Sequence, residues 1–291
     1  MRFDYYQPHD LQDAISFMDR EEGGAQALAG GTDLIPRIKD KLVSPRYVVN
    51  IKGLAELQGM GREKEGWRIG ALTTIRDLEA SPEVGGQYPL LAQAAAVLGS
   101  AQVRNIATVG GNLCHAVPSA EMAPPLLALD AQATLMGPQG KRSLPLEDFF
   151  LGPRRTVLQP GELLCEIIVP TQPERWGGVY LKLEHRQAMD LAIVGVAAMV
   201  ALDSSGRCQD CRIALGAVAP TPARAKRAEE SLRGEKITAA ALAEAAEIGM
   251  GECQPIDDIR ASRSYRCDMV KVLTRQALTQ AVDMAKKGKG A

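Results

Sequence analysis

Two short glycine-rich segments constrain the fold of this chain more than any other feature of its sequence. Residues 29–34 read AGGTDL and residues 108–113 read TVGGNL. Each segment follows apolar residues typical of a buried strand and precedes a helix or an extended stretch. Glycines let a backbone approach a ligand closely and turn successive N–H groups toward an anion, while threonine and asparagine add uncharged donors. The pair therefore indicates a diphosphate-binding site, although either segment alone is explained equally well as a tight turn.

Neither glycine segment matches the common nucleotide-binding motifs. No Gly-Lys-Ser/Thr follows either one, as a P-loop requires, and neither forms G-x-G-x-x-G with a ribose-binding acid downstream. An ordinary NAD domain and an NTPase are both disfavoured.

The first part of the chain alternates helix and strand patterns. Apolar residues at 11, 14, 15 and 18 follow helical spacing, and residues 26–29 and 47–51 read as buried strands. Thr32 and Asp33 are expected to cap a helix that runs to Lys41, with Pro36 near its first turn. Farther on, the pattern predicts strands at 68–71 and 163–169, helices at 74–80, 90–98 and 122–131, and a hairpin from 134–136 and 143–144.

The last third of the chain has a different order of elements. Residues 171–178 are polar and rich in turn formers, so we place a linker there. Strands are predicted at 179–183, 192–202 and 212–218, and helices at 225–232, 239–251 and 265–286. Strands followed by helices indicate a small α+β domain. The expected domains are residues 1–175, with subdomains of about 1–55 and 56–175, and residues 176–291.

Composition excludes several classes of protein. The chain has 291 residues, a formal net charge of −1 and 46% hydrophobic residues. It shows no basic stripe for nucleic acid and no apolar run of the roughly 20 residues that a membrane span needs. Six dispersed cysteines and an acidic N-terminus without a signal pattern favour a cytoplasmic protein with reduced thiols.

The glycine segments belong to a longer set of motifs. LAGGTDL at 28–34 and ATVGGN at 107–112 are followed by HAVPSAE at 115–121. The chain begins with an F-x-Y-x-x-P stretch, and Y-R-x-x-M-x-x-V-L spans 265–273. Over essentially its whole length the chain resembles the FAD-binding medium subunit of the molybdenum hydroxylases, the group of xanthine, carbon monoxide and nicotinate dehydrogenases. The resemblance implies a two-subdomain FAD-binding domain of the vanillyl-alcohol-oxidase type. A small C-terminal α+β domain with an antiparallel sheet and helices would follow it.

The resemblance also implies which residues hold FAD. Glu121 would accept from the adenosine ribose, Leu164 would pack on the isoalloxazine, and Lys182 would lie near the flavin ring. Ala101 lies on the approach to the second glycine segment, where Leu98 replaces the ring that relatives carry. The diphosphate and ribityl chain would be held, largely by backbone N–H groups, by Ala27, Leu28, Ala29, Gly30, Gly31, Thr32, Asp33, Leu34, Thr108, Val109, Gly110, Gly111 and Asn112.

Simpler roles remain open for three of these residues. Glu121 could be a solvated glutamate at a helix start, Leu164 a buried strand leucine, and Lys182 an exposed strand lysine.

The remaining reactive residues do not form a metal site by their spacing. Cys114 and His115 lack a third ligand, so we assign both to packing beside the cofactor. Cys208 and Cys211 form the one C-x-x-C, which is expected in a polar turn and lacks the second pair that zinc needs. No metal is expected on this chain.

The chain offers no Ser-His-Asp or paired-carboxylate arrangement, so its chemistry is expected to come from the cofactor. The resemblance implies an oxidoreductase in which a small subunit carries two [2Fe–2S] clusters and a large subunit carries molybdopterin. FAD on this chain would pass electrons to NAD⁺, oxygen or another carrier, in a dimer of heterotrimers. A stand-alone flavin oxidase and a scaffold without cofactor are the alternatives. A Gly110→Val variant is expected to lose FAD and to keep its fold.

Overall fold

The structure, a computed structural model, describes residues 2–288 and opens with a three-stranded parallel sheet of order β1-β3-β2. Helix α1 begins after Asp10, whose carboxylate accepts from the N–H of Asp13. Its apolar face, which includes Ile15 and Phe17, is buried against Val49 of the sheet. The elements of this unit are β1 (Asp4–Tyr6), α1 (Leu11–Arg20), β2 (Ala25–Leu28), α2 (Leu34–Lys39) and β3 (Tyr47–Asn50).

The second unit is a five-stranded antiparallel sheet of order β4-β5-β10-β6-β7 covered by short helices. The predicted hairpin is present and turns between Gly137 and Gly140. The strands are β4 (Met60–Glu63), β5 (Gly66–Gly70), β6 (Gln132–Gly137), β7 (Gly140–Pro145), the short pair β8 (Phe150–Gly152) and β9 (Arg155–Thr156), and β10 (Leu163–Pro170). The helices are α3 (Ile75–Ala80), α4 (Pro82–Gln87), α5 (Pro89–Val97), α6 (Ala101–Arg104), α7 (Val109–His115) and α8 (Ala123–Ala128).

The third unit is a four-stranded antiparallel sheet of order β11-β12-β13-β14. Every residue of β12 is buried, because the long helix α11 covers one face of the sheet and α5 and α8 lie against the other. The elements are β11 (Trp176–Leu183), β12 (Val194–Leu202), β13 (Cys208–Gly216), β14 (Ala223–Arg224), α9 (Lys226–Glu230), α10 (Ala239–Met250) and α11 (Arg263–Lys287). No helix within residues 2–288 is long and apolar enough to cross a membrane.

The last three residues of the predicted linker belong to a strand. Strand β11 begins at Trp176, inside the polar stretch at 171–178. A Cβ on Gly177 would overlap the carbonyl oxygen of Ala281, so this glycine lets α11 approach the sheet rather than making a turn.

The cysteine pair of the C-x-x-C motif was also misplaced by the sequence pattern. Cys208 and Cys211 lie on β13 and not in a turn, and both are buried in the core of the third unit. The strand has an irregularity opposite Ala201 and Leu202, where an extra residue shifts the register. The polar residues at 209 and 210 suggested a loop, but they are the less buried positions of a strand whose other residues, including both cysteines, are mostly buried.

Candidate cofactor site

The first glycine segment follows strand β2, and its backbone donors lack partners among the described residues. Gly31 has φ +79°, a conformation that suits glycine. The N–H groups of the five consecutive residues from Gly30 to Leu34 donate no hydrogen bond to any part of the chain between residues 2 and 288. Since buried and half-buried N–H groups in proteins are almost always paired, this run is a set of donors for an anion.

Helix α2 after this segment is shorter than predicted. It ends at Lys39 instead of Lys41, because Lys41 takes a left-handed conformation with φ +58°. Asp33 occupies the N-cap position, but its side chain makes no capping bond, so the expected cap by Thr32 and Asp33 is wrong. The Asp33 carboxylate instead lies 3.3 Å from Nε2 of His115.

The second glycine segment is the first turn of helix α7 and not a loop. Thr108 is its N-cap, as its β-region backbone and side chain favour. Each N–H of the turn is bonded inside the protein: Val109 to the carbonyl of Thr73 (3.0 Å), Gly110 to that of Ala71 (2.9 Å), Gly111 to Oγ1 of Thr108 (3.1 Å) and Asn112 to the carbonyl of Thr108 (3.0 Å).

Close packing against Ala71 requires a glycine at position 110. A Cβ there would lie 2.7 Å from Cβ and 2.8 Å from the carbonyl oxygen of Ala71. Gly110→Val is therefore expected to lower the stability of the fold as well as affect any cofactor site, since a valine would push α7 away from the end of β5.

The two segments meet through backbone packing and one contact between polar side chains. A Cβ on Gly30 would overlap the carbonyl oxygen of Ile106, so the chains pass at a distance that only glycine permits. At the other end of α7, His115 faces Asp33 and also lies 3.3 Å from Nη1 of Arg154. Burial lowers the pKa of His115, and Arg154 lowers it further while Asp33 opposes the shift. The imidazole is therefore a neutral bridge between the segments at pH 7.

A cleft of about 410 Å³ opens between the first two units. Its walls are mainly uncharged, with hydroxyl and amide groups beside backbone. Of the predicted residues, Ala29, Gly30 and Thr108 line it, and the other lining residues are Lys52, Gln58, Gly59, Leu72, Thr73, Thr74, Asp77, Asn105 and Ile106.

Most of these other lining residues were missed by sequence reasoning. Lys52 follows β3, and parallel strands β2 and β3 end at the same edge of the sheet, so it had to lie near Gly30. That topological signal was available. Thr73 and Asn105 carry no comparable signal, since they reach the cleft through turns between elements.

Glu121 and Lys182 are brought together. The Lys182 side chain is 2% exposed, so the exposed-lysine alternative is wrong. Its Nζ lies 3.1 Å from Oε1 of Glu121 and 2.6 Å from Oε2 of Glu184, and it donates to the carbonyls of Val97 (3.2 Å) and Asp190 (2.8 Å). Glu121 is itself buried, so it is not a solvated glutamate, and burial raises its pKa although Lys182 opposes the shift. Glu184 had not been anticipated.

The remaining predicted residues occupy separate positions. Ala27 and Leu28 end strand β2, and Leu164 is buried on β10 in the same core as Leu113 of α7. Ala101 is the exposed first residue of α6 and does not line the cleft.

The residues of the first segment fit the diphosphate of a dinucleotide. Five N–H groups that have no partner in the described part of the chain, together with the Thr32 hydroxyl, supply neutral donors. The approach of backbone to backbone at Gly30 keeps side chains out of the space beside them. No group of three or more Cys, His, Asp or Glu residues within the described chain could hold a metal ion.

Comparison with known families accounts for nearly the whole chain. Residues 1–172 match the family described as the FAD binding domain in molybdopterin dehydrogenase. Residues 179–281 match the C-terminal domain of the carbon monoxide dehydrogenase flavoprotein.

Individual relatives are similar from end to end. The carbon monoxide dehydrogenase medium chain of Hydrogenophaga pseudoflava is 35% identical over 96% of this chain and 97% of its own length. A putative xanthine dehydrogenase FAD-binding subunit of Escherichia coli K12 is 34% identical over 97% of this chain and 96% of its own length.

Solved structures agree with the fold. A chain of carbon monoxide dehydrogenase from H. pseudoflava superposes with a TM-score of 0.94 at 35% identity, covering 98% of both chains. A chain of quinoline 2-oxidoreductase from Pseudomonas putida 86 gives 0.91 at 31% identity, again covering 98% of both. The predicted fold class, an FAD-binding domain followed by a domain with an antiparallel sheet and helices, is confirmed.

Proposed function

We propose, starting from the fact that this chain belongs to the FAD-binding medium subunits of the molybdenum hydroxylases, that it is the electron-transfer subunit of a heterotrimer. As a member of that family it is an oxidoreductase subunit with an FAD-binding domain. In this proposal FAD receives electrons from [2Fe–2S] clusters of a small subunit, and a large molybdopterin subunit oxidises the substrate. The acceptor is NAD⁺, oxygen or another carrier, and two heterotrimers pair in the cytoplasm.

The observation that carries the proposal is the run of unpaired N–H groups from Gly30 to Leu34. An anion that accepts from several of these groups gains charge-assisted hydrogen bonds, each of about 1.5–3 kcal/mol. Uncharged N–H donors can bind a diphosphate without a positively charged side chain beside it. The proposed binding role of the first segment rests on this donor set.

The second segment acts differently in the proposal. Its N–H groups are engaged, so Gly110 and Gly111 position α7 while side chains face the ligand. The Asn112 Oδ1 accepts from the N–H of Met122, which leaves its amide N–H₂ to donate. Asn112 thereby orients the stretch that carries Glu121.

The other residues orient the cofactor. In the proposal Leu164 supplies an apolar surface, and Glu121 and Lys182 provide a buried acceptor and a buried cation. Bound FAD supplies the redox chemistry, since it takes up two electrons and releases them to an acceptor. The protein's own part is to bind, orient and shield.

Absorption of the purified chain tests the proposal. We expect a flavin spectrum, release of the chromophore by acid, a mass equal to that of FAD, and neither iron nor labile sulfide. Apoprotein should take up one FAD per chain in preference to FMN, because the proposed donors face a diphosphate.

Two results would contradict this proposal. A colourless chain that fails to take up added FAD would favour a scaffold, and flavin that stays with denatured protein would favour a covalent flavin oxidase. Co-expression with neighbouring subunits then asks whether the chain purifies with iron–sulfur and molybdopterin partners.

A further inference from the structure

The buried ammonium of Lys182 has more acceptors than hydrogens. An ammonium carries three N–H groups, but four oxygens lie within 3.2 Å of Nζ. Two of them are carbonyls of Val97 and Asp190, which are fixed by the backbone. The other two belong to the carboxylates of Glu121 and Glu184, so these glutamates compete for the same donor.

The charges of this cluster are unbalanced as well. Two carboxylates face one ammonium, and their side chains are 9% and 12% exposed in Glu121 and Glu184. Tyr180 also interacts with both carboxylates, and because burial and these charges raise its pKa, it stays a neutral phenol. An uncompensated buried charge is costly, and the cluster therefore has room for one further hydrogen-bond donor.

The two glutamates differ in what surrounds them. Glu184 directly follows strand β11, two residues after Lys182, and makes the shorter contact with Nζ, 2.6 Å against 3.1 Å for Glu121. Glu121 precedes Met122, whose N–H is held by Asn112 of the second glycine segment. Of the two carboxylates, Glu121 thus makes the longer contact with the ammonium, and it is the one joined through Met122 to the second glycine segment.

We infer that Glu184 is a positioning residue, which holds the Lys182 ammonium so that Glu121 can accept a hydrogen bond from a hydroxyl or N–H donor of the cofactor. The inference rests on the proposed FAD function. Without the Glu184 charge, Lys182 pairs fully with Glu121. The Glu121 carboxylate is then no longer free to accept a hydrogen bond from the cofactor.

Substitution of Glu184 by glutamine tests this role, because the amide keeps the shape and removes the charge. Glu184→Gln should weaken FAD binding about tenfold, the size expected for one charge-assisted hydrogen bond. The thermal midpoint of the apoprotein should not fall. The control is Glu162→Gln, which removes a similarly buried carboxylate, 9% exposed, paired with Arg142 on the edge strand β7. It should leave FAD binding unchanged.

A double-mutant cycle separates positioning from a general loss of structure. If Glu184 acts through Glu121, adding Glu184→Gln to Glu121→Gln causes no further loss of FAD affinity. Losses that simply add would overturn the inference, as would unchanged binding in Glu184→Gln alone.

The pH profile supplies a readout that a merely structural role does not move. Glu184 is one cause of the raised pKa of Glu121, so in Glu184→Gln the pH at which Glu121 titrates should shift downward. Carboxyl NMR measures this shift in apoprotein. An unshifted Glu121 pKa would overturn the positioning role even in a chain that binds no FAD, whereas absence of FAD binding by the unmodified chain contradicts the proposed function itself.

Discussion

The two glycine segments have similar compositions but use their backbones in opposite ways. In residues 30–34 the N–H groups have no hydrogen-bond partner among residues 2–288, and Gly31 adopts a left-handed conformation outside any helix. In residues 109–112 each N–H is bonded within the protein, and Gly110 lies against Ala71 in a regular helix turn. The first segment is thus available to a ligand, whereas the second is part of the packing that holds the units in place.

This difference shows that a pair of glycines has two distinct physical meanings. A glycine can free the backbone to meet a ligand, or it can let two backbones of the same protein approach. The two roles are distinguished by whether the neighbouring N–H groups are hydrogen bonded within the protein. Gly30 combines both roles, because its Cα faces Ile106 while its own N–H is unpaired.

Amide hydrogen exchange gives the largest expected contrast between the segments. In apoprotein the N–H groups of residues 30–34 should exchange at least about a hundredfold faster than those of residues 110–112, because only the latter are hydrogen bonded. Added FAD should slow the first group and leave the second nearly unchanged. Equal protection of both segments without FAD would remove the distinction.

Stability of glycine variants gives the next largest effect. Gly110→Val should lower the free energy of unfolding of the apoprotein by about 3 kcal/mol, since the new side chain overlaps Ala71. Urea unfolding without FAD measures the loss. Gly85→Ala is the matched control, because Gly85 also lies in a helix but its Cβ would meet open space. It should stabilise by about 0.5–1 kcal/mol, and a stable Gly110→Val would contradict the packing role.

The threonines of the two segments give the smallest contrast. Thr108→Ala should cost about 1 kcal/mol in unfolding free energy, because Thr108 caps α7. Thr32→Val should stay within about 0.5 kcal/mol, since the Thr32 hydroxyl has no bond to residues 2–288 and surface changes of this kind are nearly neutral. It should instead weaken FAD binding severalfold. Calorimetry of the apoprotein measures the stability of each variant, and titration with FAD measures its affinity. A loss of stability in Thr32→Val with none in Thr108→Ala would contradict the comparison.

Much of the architecture was readable from local patterns. Helical spacing located α1 and α11, and the Gly-Pro-Gln-Gly turn located the hairpin of β6 and β7. The motif set led to the family and to FAD. Errors fell where distant packing overrides local preference, as at Trp176, where a polar glycine stretch becomes a strand under α11, and at Cys208 on β13.

The sequence by itself determined the family, the fold class and the positions of the two glycine segments. These depend on residue types at set spacings. Tertiary structure alone decided which segment has free donors, that Lys182 is buried between two glutamates, and that Asp33 pairs with His115. The reason is that hydrogen-bond partners and burial depend on elements far apart in the chain. Oxygens of Val97, Glu121 and Asp190 meet at the ammonium of Lys182, and no local pattern connects these residues.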